Sequence, residues 1–180
     1  MRRTVLRAML ALITGLLLAG CSSVEVERDA TLPAGRGWAL LPIVNHSQAP
    51  RAGERVEALV ETALHVRGLD PVHYPADSDH TGMLIPDEEQ RFRKALSWAR
   101  REGLRFGVTG TVEEWRYKSG LDGEPAVGIS LRVIDIPTGR VLWAASGARS
   151  GWGYESASGT AGKLVRQLLK GLKLTRATAD

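Results

Sequence analysis

Four histidines, two adjacent glutamates and a single cysteine are the residues of this 180-residue chain with the plainest chemical capacity. The histidines are His46, His65, His73 and His80. No two of them stand four apart, as a zinc-binding H-E-x-x-H helix requires, so the spacing offers no metal site and calls for no cofactor. His65 falls on the polar side of a helical stripe, and His46 and His80 fall in loops, where a solvated surface role suffices. Glu113 and Glu114 are neighbours in a strand-like stretch. Alternation sends such neighbours to opposite faces, which argues against a shared acid–base pair. Gly147-Ala148-Arg149-Ser150-Gly151 puts its serine one place too late for a nucleophile elbow. No glycine-rich phosphate loop follows a strand. These residues point to a non-catalytic, binding or structural role.

The cysteine is different. Cys21 ends Leu18-Ala19-Gly20-Cys21, which resembles a bacterial lipobox. Before it stand Arg2, Arg3 and Arg7, and then thirteen residues from Ala8 to Gly20 without a charge. A basic start, a short apolar run and small residues before a cut site form a secretory signal. A permanent span needs roughly 20 apolar residues, so residues 1–20 are expected to be removed. Lipobox processing places a diacylglyceryl group on the cysteine sulfur, cuts before it and acylates the new amine. Two or more acyl chains anchor stably where one binds marginally. Cys21 is therefore the expected lipidation site. Ser22 and Ser23 follow it with no aspartate at the second position, the pattern of lipoproteins sent to the outer membrane, with the domain on its periplasmic side.

Removing the signal changes the charge. The whole chain has 24 Lys and Arg against 20 Asp and Glu. Three arginines leave with residues 1–20, so 21 basic residues then face 20 acidic ones, a net charge of +1. A nucleic-acid binder needs a net basic footprint, and the mature chain has none. With its only cysteine spent on lipid, the domain has no disulfide and must hold itself with a core. Its 160 remaining residues are enough for one domain.

The elements that would position these groups can be read from periodicity. Residues 21–36 lack a period and read as a lipid-anchored linker, with a reach of about 20 Å as a flexible coil. A single domain over 37–176 follows. Residues 38–45 are a nearly continuous apolar run, suited to a strand buried on both faces. Residues 54–67 carry Val56, Leu59, Val60, Ala63 and Leu64 on one helical stripe, ended by Gly68. A short strand is expected over 69–74 and a polar loop over 76–85. Asp87-Glu88-Glu89-Gln90 opens a second helix as a capping box, with Phe92, Ala95, Leu96 and Ala99 as its stripe. Residues 104–117 alternate as a strand. Residues 126–136 and 140–148 form a hairpin across Pro137-Thr138-Gly139. Residues 160–174 repeat a helical stripe. The expected fold is α/β (α+β): one mixed sheet of about five strands with three helices packed on it, in the order β-α-β-α-β-β-β-α.

The hairpin 131–143, with its aspartate before a Thr-Gly turn and then Val-Leu-Trp, resembles small periplasmic α/β modules. The TolB N-terminal domain, CsgG and the lipoprotein activators of penicillin-binding proteins are of this kind. A narrower resemblance lies in residues 118–128, in Leu142-Trp143 and in Gly147-Ala148-Arg149-Ser150-Gly151-Trp152, which are similar to the PelC family. That resemblance implies an outer-membrane lipoprotein of Pel exopolysaccharide export, assembled as a dodecameric ring. It also implies a PelB-like β-barrel as partner and an acidic funnel for a cationic amino-sugar polymer. Carried over by motif, Asp122 in Gly-Leu-Asp-Gly-Glu-Pro would line the aperture as a polymer-guiding acid, and Trp152 would face the membrane. Asp-Gly is also a good turn pair in its own right, and an indole there can pack on the sheet instead. Trp143 is expected in the core.

Three other roles stay open on sequence alone. An activator or adaptor docking on a peptidoglycan synthase would need a longer tether than about 15 residues. A CsgG-like secretion component that forms the pore would need strands of roughly 9–11 residues free to cross a bilayer. An enzyme acting on envelope glycans would need paired carboxylates across a cleft.

Overall fold

Residues 38–45 form the strand that organises everything else. The computed structural model describes residues 22–26, 31–75, 87–119 and 123–175. In chain order it contains β1 (Ser22–Val26), β2 (Thr31–Pro33), β3 (Trp38–Asn45), α1 (Ala52–Val66), β4 (Val72–His73) and α2 (Glu88–Arg101). Then come β5 (Phe106–Tyr117), β6 (Pro125–Asp135), β7 (Val141–Ser150), α3 (Ala157–Leu169) and β8 (Lys173–Thr175). The expected β-α-β-α-β-β-β-α order runs through it from β3 to α3. The main sheet has six strands in the order β1-β7-β6-β5-β3-β4, and β2 pairs with β8 apart from it.

β3 is parallel to both its neighbours, β5 and β4, while β5, β6, β7 and β1 pair antiparallel in turn. Its residues 38–43 are all buried, because helices cover both of its faces. α1 and α3 lie together on one face. There Val56, Val60, Leu64, Leu164, Val165 and Leu168 meet Leu40, Val108, Ile129, Leu131, Val133 and Trp143 in the main core. Trp143 is fully buried, as its place in the hairpin predicts. α2 lies on the opposite face and packs on β3, with Ala95 and Ala99 against Ala39, Leu41, Ile134 and Ile136.

One buried carboxylate ties these layers together. Where the pairing of β3 with β5 shifts between Leu40 and Ile43, the Ile43 N–H donates to Glu57 Oε1 of α1 at 2.9 Å. Arg91 of α2 closes a two-pronged pair with the same carboxylate, 3.0 Å to each oxygen. Such forked pairs are the strong, geometrically specific kind.

The structure departs from expectation at both ends of the domain. The segment read as linker holds two strands. β1 joins the edge of the main sheet along β7, from Ser22 opposite Arg149 to Val26 opposite Ala145. β2 pairs with β8, Thr31 opposite Lys173. The last helix starts at Ala157 rather than 160 and stops at Leu169, five residues early. Gly171 and Leu172 close its last turn onto Leu168 and Leu169, and residues 173–175 run as strand. The second strand shrinks to Val72–His73. The capping of α2 is as expected, with Asp87 accepting from the Glu89 N–H at 3.2 Å. So is the hairpin turn, where Gly139 has a φ of 72° and donates to Asp135 O at 2.7 Å.

Candidate functional site

The candidate residues gather where β5 turns into β6 and β7 leaves for α3. Tyr117 stands opposite Pro125 at the mouth of the β5–β6 hairpin. Beyond it the Lys118 N–H donates to Glu124 O at 2.7 Å, and their side chains pair at 3.4 Å. Asp122 belongs to this turn but lies, with residues 120 and 121, outside the described residues. Cys21 also lies outside them, as does His80.

The segment 151–156, between β7 and α3, is strapped to the same hairpin. The Gly151 N–H donates to Pro125 O at 2.8 Å. A Cβ on Gly151 would stand 2.4 Å from Thr160 Oγ1 and 2.8 Å from both Glu155 Oε2 and Pro125 Cγ, so only glycine lets the strand come this close. The Glu155 N–H then reaches back to Trp152 O at 2.8 Å. Glu155 pairs with Lys163 of α3 at 2.5 Å, and the hydrogen bond from Lys163 holds its carboxyl below the usual 4.5. Ser156 caps α3 by accepting from the Gly159 N–H at 3.0 Å, and Tyr117 Oη accepts from the Ala157 N–H at 3.2 Å. A braced loop results, and its aromatic side chains point outward.

Trp152 is 64% exposed on this loop, Tyr154 is fully exposed, and Tyr117 beside them is 56% exposed. Among the described residues only Val66 and Val72 are other large hydrophobics with comparable exposure. β1 begins at this end too, since Ser22 is opposite Arg149, three residues before Trp152. The structure thus brings together Trp152, the flanks of the turn that bears Asp122, and the residue that follows Cys21. Sequence reading missed Tyr154, although Trp-Gly-Tyr between glycines and a helix cap was the available signal. It also missed β1, whose Ser-Ser-Val-Glu-Val has no local partner to declare it a strand.

Elsewhere the groups with chemical capacity stay apart or stay bland. His65 lies 3.4 Å from Asp70 and 4.0 Å from Glu61, and His73 lies 4.0 Å from Glu61, all on an open surface. No three histidine, cysteine, aspartate or glutamate side chains among the described residues stand as a metal site. The glutamate pair does not alternate as expected, because β5 and β6 shift register between Val112 and Glu114. Glu113 and Glu114 consequently line one open trough of about 640 Å³ with Ser130 and Ser146. There Glu113 accepts from Ser130 at 2.8 Å and Thr111 at 2.5 Å, while Glu114 pairs with Arg116 at 2.6 Å. Among the described residues no helix is long and apolar enough to cross a membrane.

A mixed sheet with two helices on one face and one on the other, and a braced aromatic end, defines a small α/β module. The lipoprotein GNA1162 from Neisseria meningitidis shares this fold, with a TM-score of 0.55 and 21% identity over 77% of this chain and 96% of that one. No family model and no curated protein matches the chain. The PelC dodecamer from Paraburkholderia phytofirmans is similar in sequence as well: its leucine-to-methionine variant has a TM-score of 0.72 and a second crystal form, without that substitution, 0.70. Both show 33% identity over 86% of this chain and 100% of that one. The chain belongs to the PelC family.

Proposed function

We propose that this protein is a non-catalytic outer-membrane lipoprotein whose copies close into a ring and guide a cationic exopolysaccharide of the Pel type to its export pore. The observation that carries the reading is the 33% identity over 86% of the chain to a protein crystallised as a PelC dodecamer. A ring needs a heterologous interface, two different patches on each copy that meet head to tail, and a braced single sheet is rigid enough to present them. Acylated Cys21 anchors each copy in the periplasmic leaflet. Asp122 supplies one carboxylate per copy to the lumen. A ring of acids attracts a cationic polymer through many weak, screened contacts, which favours passage over capture. Trp152 faces the bilayer, and its 64% exposure beside the start of β1 supports that placement. A PelB-like β-barrel receives the polymer.

The test is the mass in solution of the mature domain without its acyl groups, by light scattering with negative-stain imaging. A closed ring is the expected result. A monomer at high concentration would overturn the ring as a property of this chain. With the ring in hand, Asp122→Ala is expected to reduce polymer secretion while leaving ring size unchanged.

A further inference from the structure

An acylated lipoprotein with a slack linker can hang at any angle from its membrane. Residues 22–36, read as coil, would give about 20 Å of play. The structure removes that play. β1 begins at Ser22 and is zipped to β7 over five residues, with Val24 packed against the main core. Between Cys21 and the first paired residue there is no intervening residue, so the slack is about one residue's length, roughly 3.5 Å. The direction of β1 matters as much as its pairing. Because it runs antiparallel to β7, its start lies at the end of the sheet from which Trp152 and Tyr154 project. From Arg149 to Trp152 is three residues, about 10 Å along an extended chain. Interfacial amphipathic segments bury their apolar side about 5–10 Å into the headgroup boundary. Tryptophan and tyrosine are the side chains that settle there, each with an apolar body and a polar handle.

We propose that β1 is a rigid mount, holding the acylated end of the chain against the aromatic end of the sheet so that the domain rests on the bilayer through Trp152 and Tyr154. This rests on the reading of Cys21 as the lipidated residue. Tyr154, which has no role in that reading, is thereby assigned as a second lipid contact. Tyr117 is held back by its hydrogen bond to the start of α3 and serves the loop instead. The mount also sets orientation. Copies fixed on one membrane at one angle have one freedom fewer to lose when they assemble.

The experiment uses the mature acylated chain in vesicles of phosphatidylethanolamine and phosphatidylglycerol whose acyl chains are brominated near the headgroup. Of the five tryptophans, Trp38, Trp115 and Trp143 are buried and Trp98 is half-buried, so Trp152→Phe isolates the signal of interest. Bromolipid is expected to quench the unaltered chain about twofold more than Trp152→Phe, as for an indole at headgroup depth. Adding Tyr154→Trp to the Trp152→Phe chain should restore that excess. Eight Gly/Ser residues inserted between Cys21 and Ser22 introduce about 15 Å of slack and should remove most of it, with β1 left intact. Val24→Pro, which takes an N–H out of β1, should do the same without lengthening the tether. Quenching equal to that of Trp152→Phe would overturn the membrane contact, and quenching unchanged by the insertion would overturn the mount. Mass spectrometry separates these failures from that of the underlying reading: a Cys21 without diacylglyceryl sinks both, whereas an acylated chain without excess quenching leaves the lipid anchor standing and sinks the mount together with the bilayer placement of Trp152.

Discussion

The two faces of the main sheet are built on opposite principles. One is closed by α1 and α3, where large side chains from β3, β5, β6 and β7 interdigitate with Val56, Val60, Leu64, Leu164 and Leu168. Among the described residues the other is closed by α2 over β3 and the end of β6, where Ala95 and Ala99 lie on Ala39, Leu41, Ile134 and Ile136. Past α2 it opens into a trough of about 600 Å³, lined by Glu25, Thr111, Ser130, Arg132, Ala144 and Ser146. Antiparallel strands tolerate water on one side whereas parallel strands do not. β3 is covered on both faces, whereas the antiparallel strands past α2 are covered on one. Stability belongs to the closed face, and the open face is free to vary without unfolding the domain.

Four measurements would break or sharpen that contrast. The largest effect is expected on the closed face, where Leu164 is fully buried beneath β7. Leu164→Ala should cost about 2–5 kcal/mol in denaturant unfolding, from lost burial and the cavity left behind. A cost below 1 kcal/mol would mean this layer is not the stabilising one. Next comes the carboxylate joining the layers. Glu57→Ala strands the Ile43 N–H and the Arg91 guanidinium, and is expected to cost about 2–3 kcal/mol, moderated because Arg91 keeps some solvent.

A smaller effect concerns Glu88, beside that pair. Burial raises its carboxyl above the usual 4.5, and its Oε2 is buried with no hydrogen-bond partner among the described residues. A raised folded-state value stabilises the fold below the unfolded pKa, and that contribution is lost as pH rises through the folded value. Glu88→Gln should therefore melt higher than the unaltered chain at neutral pH, with the gap closing toward about pH 4. An equal gap at both pH values would show that titration is not its cause. The smallest change belongs to the open face, where Ser146→Ala should leave stability within about 0.5 kcal/mol. A larger loss in the monomer would mean the trough is part of the core.

Much of this was legible beforehand, for a local reason. The stripe of α1 places Val56, Val60 and Leu64 four apart and all three are fully buried. Asp87 caps α2, and the hairpin turns at Thr138-Gly139. Each of these depends on residues within a turn or two of one another, where side-chain period and backbone preference act alone. The candidate site was legible only in pieces. Trp152 and the Asp122 turn stood out by composition, but 30 residues separate them, and their common end of the sheet follows from the strapping of Gly151 to Pro125.

The failures share one physical cause. Residues 22–26 and 31–33 have no neighbour in sequence to pair with, and an isolated strand is not stable in water. They become strands because β7 leaves an edge and because residues 173–175 arrive beside them. The same absence of partners hid the end of α3, where Leu172 continues the helical stripe but the chain leaves the helix at Gly171 to pair residues 173–175 with β2. The sequence alone thus determined the helices, the hairpin, the core and the resemblance to PelC, because these rest on local period and short motifs. Tertiary structure decided that the expected linker is a strand, and which end of the sheet its start shares with Trp152, because strand pairing is settled between segments more than a hundred residues apart.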